Sequence, residues 1–147
     1  MAVKPIPDGY HSVTPYLVVH DVARLIDFLC ATFEAKVTER HDLPDGRVMH
    51  AEVRIGDSTV MMGEARDPKP AMPGMLYVYV ADTDAAYKRA IAAGATSLLE
   101  PTLQFYGDRN AGVKDRHGNQ WWIATHVEDV PPDEMARRAE AHAKTKA

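Results

Sequence analysis

The sequence predicts an α+β fold made of two βαβββ repeats followed by a C-terminal helix. Three observations carry that prediction. Landmarks recur along the chain: Val19-His20-Asp21 matches Val80-Ala81-Asp82 at an offset of 61, and the Gly56-Asp57 turn matches Gly118-Asn119 at an offset of 62. Apolar residues alternate with period two in stretches such as Arg47 to Ile55, whereas Val22, Leu25, Ile26, Leu29 and Phe33 recur at helical spacing. Between the halves, Pro68, Pro70 and Pro73 exclude a helix or a central strand.

The elements follow in order. Residues 1–11, with Pro5 and Pro7, read as an arm without a core of its own. Ser12 to Val19 is a strand, placed at an edge by Pro15. Asp21 caps a helix whose single apolar stripe covers a sheet. Val37 to His41 begins a second strand, Leu43-Pro44-Asp45-Gly46 is a turn, and Arg47 to Ile55 forms a hairpin with Ser58 to Met62. Met49, Ala51, Val53 and Ile55 share one face of that strand; His50, Glu52 and Arg54 share the other. Residues 63–73 are a linker.

The second half repeats the plan. Met75 to Val80 is a strand, Asp82 caps a helix from Thr83 to about Ala93, and Gly94 suits its left-handed end. Thr96 to Leu99 is a short strand, and Pro101 sits in a turn. A hairpin from Phe105 to His126 follows, with Asp115-Arg116-His117-Gly118-Asn119 as its reversing loop. Trp121 and Trp122, adjacent on one strand, must point to opposite faces. Asp133 to about Lys144 is a helix with Met135 as its one large apolar group, either solvated or docked on a partner surface. The domain boundaries expected are an arm at 1–11, a main domain at 12–126 (repeat one 12–66, repeat two 73–126) and a helical tail at 127–147.

With 147 residues the chain fits one domain or two small halves sharing a core. Apolar residues make up 46% and charged residues 26%, a globular balance. A net charge of −4 offers no basic footprint, which argues against nucleic acid and anionic membrane as partners. Cys30 stands alone, so an internal disulfide and a cysteine zinc cluster are excluded, and buried filler is its expected role. No basic segment precedes an apolar run and no stretch approaches a membrane span, so a cytoplasmic location is expected.

Two βαβββ halves, the second with Asp-x-x-Gly-Asn at 115–119 before its last strand, resemble the vicinal oxygen chelate superfamily of glyoxalases, bleomycin-resistance proteins and extradiol dioxygenases. The segments at 14–19 (TPYLVV), 48–57 (VMHAEVRIGD), 106–109 (YGDR) and 115–126 (DRHGNQWWIATH) are similar to its PhnB-like branch. Arg116 stands where that branch usually has proline. The resemblance implies half-sheets curved into a mixed-sheet cup for a small organic molecule, helices on the convex side, and a homodimer.

The resemblance also implies a His or Glu at each of four cup-facing strand positions, together holding a divalent cation. Carried over by the landmarks, those positions fall on Thr14, on Met62 or its neighbour Glu64, on Met75 and on Trp122. Glu64 alone is a ligand of the right kind, so no metal and no other cofactor is expected on the family plan. His50 and Glu52, two apart on one face, are the candidate catalytic pair, or the start of a displaced metal site. The other histidines (His11, His20, His41, His117, His126, His142) fall at ends, turns or the tail and are expected to be solvated.

The expected ligand-binding residues are Thr14, Tyr16, Met62, Met75, Tyr77, Tyr79, Tyr106, Asp108, Arg109 and Trp122. They make an aromatic, thioether-rich lining for flat or amphipathic molecules, with Arg109 offered to a ligand anion or to a nearby Asp. The expected function is therefore metal-free binding of a small molecule. The alternative is an enzyme of lyase, isomerase or dioxygenase type using a displaced metal or the His50/Glu52 pair.

Overall fold

The computed structural model describes residues 2–146. In chain order the elements are β1 (Tyr16–Val19), α1 (Val22–Phe33), β2 (Lys36–Asp42), β3 (Val48–Ile55), β4 (Ser58–Glu64), β5 (Met75–Tyr79), α2 (Thr83–Ala92), β6 (Thr96–Leu103), β7 (Asp108–Lys114), β8 (Gln120–His126) and α3 (Pro132–Lys146). They make two four-stranded mixed sheets of the same design, ordered β1-β4-β3-β2 and β5-β8-β7-β6. The chain divides into two compact units, one per sheet, with the Asp115–Asn119 turn belonging to the first.

In each sheet the first strand lies parallel to the last, and the other pairings are antiparallel. A parallel pair needs a crossover, and α1 or α2 begins it on one face. In the first unit Leu17, Val19, Ala51, Val53 and Met62 are buried on the helix side, with Val22, Leu25, Ile26, Leu29 and Phe33 of α1 as the matching stripe. In the second unit α2 offers only Ala86 and Ala90 as fully buried apolar groups, so Trp121, Ile123 and Val113 supply the bulk from the sheet.

Each helix start is held by the strand beside it. Asp21 and Val22 donate their backbone N–H groups to Glu64 at 2.7 and 3.2 Å, so the carboxylate at the end of β4 caps α1 in a buried setting. Sixty-one residues later Thr125 does the same for α2, accepting from Thr83 N–H at 3.1 Å. Asp21 and Asp82 add the expected side-chain caps, accepting from Arg24 and Ala85 N–H.

Several expectations need correction. β1 begins at Tyr16 rather than Ser12, because Pro15 contributes only its carbonyl, which accepts from Met61 N–H at 2.9 Å. β4 runs on to Glu64, two residues into the expected linker. β6 does not stop at Leu99: it passes through Pro101 to Leu103, tolerated because β6 is an edge strand whose register is irregular between Leu99 and Thr102. Gln104 to Gly107 is a turn before β7, not part of that strand. The C-terminal helix docks on its own unit. Arg138 donates to both Glu128 oxygens at 2.8 and 3.0 Å and to the Phe105 carbonyl at 3.1 Å, while His142 stacks on Phe105.

Replacing Glu64 with Ala takes the partner from the Asp21 N–H and from the buried Val22 N–H and should destabilise the protein by about 2 kcal/mol. For a chain of this size that is a fall in Tm of roughly 4–8 °C, with a smaller fall for Glu64→Gln. Thermal unfolding by circular dichroism measures both.

Candidate functional site

The face of the second sheet away from α2 is set by register. Tyr77 pairs with Trp122, which pairs with Gly112, and Tyr79 lies opposite Ala124, which pairs with Asn110. Met75, Tyr77, Tyr79, Trp122, Asn110 and Asp108 therefore share one side. Met75, Tyr77 and Tyr79 are 66%, 43% and 61% exposed, a large apolar and aromatic area to leave in water. Trp122 lies flat over Gly112: a Cβ on that glycine would stand 2.7–2.9 Å from the indole ring. Its indole N–H donates to Gln120 at 3.2 Å, which fixes the ring in its plane.

Beneath the aromatic groups runs a polar network. Asp108, only 3% exposed, accepts from the Tyr77 and Tyr79 hydroxyls at 2.8 and 2.9 Å and pairs with His126 Nδ1 at 2.9 Å. Asn110 donates to the Tyr106 and Tyr77 hydroxyls at 2.8 and 3.2 Å, and Gln104 donates to Asn110 at 2.9 Å. His126 also meets Asp129 at 2.7 Å through Nε2. Burial alone would raise the Asp108 pKa, but the bonds from His126, Tyr77 and Tyr79 outweigh it and hold the carboxyl below its usual range. Burial chiefly pushes the Tyr77 phenol up, and the Asp108 bond does the same for Tyr79. Asp108 and Asp129 raise the His126 pKa. The result is a rigid, hydrogen-bonded tyrosine surface with a buried anion behind it.

The equivalent face of the first sheet is polar. His50 Nε2 meets Glu52 at 2.8 Å, and the Tyr16 hydroxyl meets His50 Nδ1 at 3.2 Å. Tyr10, from the N-terminal arm, donates to the other Glu52 oxygen, a bond that pushes its own pKa up to about 12. The Gly9 carbonyl accepts from Thr59 and Arg54 at 2.8 and 3.0 Å, so the arm lies across this face. Thr14 stands just before β1, half-buried, its hydroxyl donating to the His11 carbonyl at 3.1 Å.

Four expected placements are corrected. Met62 is fully buried on the helix side. Tyr16 pairs with Met61 as Tyr77 pairs with Trp122, so the open-face position matching Trp122 is Met61. Glu64, on the helix side too, is engaged in capping α1. Arg109 points to α2, where Asp84 takes its guanidinium in two parallel bonds of 2.7 and 2.9 Å. Among the histidines, His117 is buried with Nε2 on the Asp21 carbonyl, and His126 is part of the Asp108 network; neither is merely solvated. Tyr10, Gln104, Asn110 and Glu39 were not among the expected site residues, and His41 was expected only to be solvated. Glu39 and His41 were legible as a same-face i, i+2 pair, whereas Tyr10 and Gln104 reach their partners from outside any strand.

On the family metal plan, Thr14, Met61, Met75 and Trp122 supply one hydroxyl, two thioethers and an indole. None is an imidazole or carboxylate, so this donor set does not fit the divalent cation the plan calls for.

Two βαβββ repeats, each with a helix on one face of its four-stranded sheet and the other face left open, define the class of fold. The model of the glyoxalase/bleomycin resistance protein/dioxygenase superfamily matches residues 9–123, and the chain belongs to that superfamily. It is 35% identical over 135 residues to uncharacterized proteins of Mycobacterium bovis and Mycobacterium tuberculosis, covering 84% of this chain and 89% and 79% of theirs. Among solved structures it is similar to TioX from a Micromonospora species (TM-score 0.69, 24% identity, 80% of this chain and 99% of that one). It also resembles a PhnB protein from Bacillus cereus (TM-score 0.63, 15% identity, 78% and 99% coverage). A superfamily member from Nocardioides aligns over 90% of both chains at TM-score 0.60 and 18% identity. Among the described residues no helix is long and apolar enough to cross a membrane.

His126 should titrate above its ordinary value of 6.5, and Asp108→Asn should bring the midpoint back toward it; histidine NMR titration measures both. Linkage gives the sign. The stability from the raised His126 is complete below the unfolded pKa and fades as pH rises through the folded one. That from Asp108, whose pKa is lowered, is present above its unfolded pKa and is lost as pH falls through the folded value.

Proposed function

We propose that the protein binds a small, flat or amphipathic organic molecule without altering it, in the manner of bleomycin-resistance proteins. Recognition is by side chains of the second sheet rather than through a metal on the family plan. The supporting observation is the exposed surface of Met75, Tyr77 and Tyr79 beside the half-buried Trp122, backed by the Asp108 and Asn110 network. Exposed π faces and a thioether favour stacking on an aromatic or heteroaromatic ligand. Hydrogen bonding below locks the tyrosine rings before the ligand arrives, which lowers the ordering cost of binding. Tyr106 is a secondary contact in this reading, and Arg109 and Met62 are not contacts. The binder works as a homodimer in the cytoplasm; light scattering on the purified protein tests the dimer.

A second reading has one observation in its favour. The 2.8 Å contact of His50 with the buried Glu52, flanked by Tyr10 and Tyr16, is the geometry of an acid–base pair in an enzyme.

A thermal-shift screen of aromatic and antibiotic-like compounds on chelator-treated protein should yield stabilising hits. Calorimetry should show each hit weakened roughly tenfold or more by Tyr79→Ala or Trp122→Ala, a loss of about 1.4 kcal/mol. Hits indifferent to both variants would discard the second-sheet surface as the site. Turnover of a hit that is abolished by Glu52→Gln would replace binding with catalysis.

A further inference from the structure

We infer that the first sheet carries a site for a divalent transition-metal cation, built by Glu39, His50 and Glu52 with His41 beside them, off the family plan. Carboxylate or imidazole atoms of Glu39, His50 and Glu52 all lie within 4.8 Å of one another. His41 Nε2 is 3.7 Å from Glu39. The four residues form a square on two adjacent antiparallel strands: Glu39 pairs with Glu52, and His41 pairs with His50. Each strand supplies one carboxylate and one imidazole at i and i+2, so all four share a face.

As folding elements these residues are poorly placed. Glutamate stands opposite glutamate, and like charges directly across a strand pair are destabilising. Among the described residues neither Glu39 nor Glu52 has an ion pair with Lys or Arg. As ligands they are well placed, since a cation needs its donors to converge.

Two further observations, independent of the cluster, point the same way. The first is the outer shell. A metal-bound histidine characteristically has its other ring nitrogen held by a hydrogen bond, and ligating carboxylates are similarly held. His50 presents Nε2 to the cluster while Tyr16 holds Nδ1, and Glu52 presents one oxygen while Tyr10 holds the other. The second is the internal repeat. Matching the sheets through Met61 and Trp122, the places of Glu39, His41, His50 and Glu52 are taken in the second sheet by Leu99, Thr102, Asn110 and Gly112. The fold is built equally well without the quartet, so the quartet is not a requirement of the fold.

Two carboxylates and two imidazoles without a thiolate suit Zn2+, Mn2+, Ni2+ or Fe2+ rather than a thiophilic ion, and the imidazoles argue against Ca2+ or Mg2+. Glu39 and His41 are exposed, which leaves an entry path. Bonds of about 2.0–2.2 Å require the exposed Glu39 to close inward and the 2.8 Å contact between His50 Nε2 and Glu52 to open around the ion. His50 ligates as the neutral ring through Nε2, so its one ring proton sits on Nδ1 and is donated to the Tyr16 hydroxyl oxygen.

The test uses untagged full-length protein stripped with a chelator and titrated separately with Zn2+ and Co2+ in a calorimeter. We expect about one equivalent per chain, with Co2+ giving visible absorption bands. Glu39→Gln, at a surface position that leaves the core intact, should weaken binding roughly tenfold or more, as should His50→Gln, and Tyr16→Phe about tenfold through the outer shell. Absence of stoichiometric binding overturns the site, as does binding of unchanged strength in both Glu39→Gln and His50→Gln. Binding of an organic ligand to the second sheet, measured on the stripped protein, should be indifferent to Glu39→Gln, so either proposal can fail alone.

Discussion

The parallel pairing of the first strand of each repeat with its last strand is the constraint on which the rest depends. It makes a crossover obligatory, and the helix that begins it covers one face of each sheet. It also fixes parity. With Tyr16 beside Met61 and Tyr77 beside Trp122, every other side chain in the two sheets is assigned to the helix or to the open face. A slip of one residue would exchange those faces completely, burying tyrosines and exposing Leu17, Val19 and Trp121. The hydrophobic cost of that exchange is what holds the register.

That same pairing places the helix caps. Glu64 and Thr125 sit at matching points on β4 and β8, and both turn to the helix side to meet the free N–H groups of α1 and α2. One repeat uses a carboxylate and the other a hydroxyl for the same purpose. Glu64 is thus a structural acid, and its chemistry is spent on the fold rather than offered to a ligand.

The two open faces have diverged from a common lattice. In the second, glycine at 112 lets Trp122 lie flat, and the polar groups are drawn into a network under the aromatic rings. In the first, His50 and Glu52 occupy the equivalent ground, with Tyr10 reaching in from the arm. Division of labour between an aromatic surface and a charged one follows from substitutions at a few positions, while the buried faces keep the same apolar character.

Much of this was legible in the chain itself. The repeat, the α+β class, both helix N-caps and the opposed faces of Trp121 and Trp122 follow from spacing, because period two and period 3.6 are imposed by backbone geometry. Same-strand pairs such as His50 and Glu52 were equally legible. Parity across strands was not: locating the counterpart of Trp122 in the first repeat at Met61 rather than Met62 required the register, which hydrogen bonds between distant segments decide. The engagement of Arg109 by Asp84, of Glu64 by α1 and of Glu52 by Tyr10 was also beyond local reading, since those partners are 25, 42 to 43 and 42 residues apart. Sequence alone determined which residues share a strand face, because that is a property of one chain segment. Only tertiary structure decided which charges meet, because that depends on where separate segments come to lie.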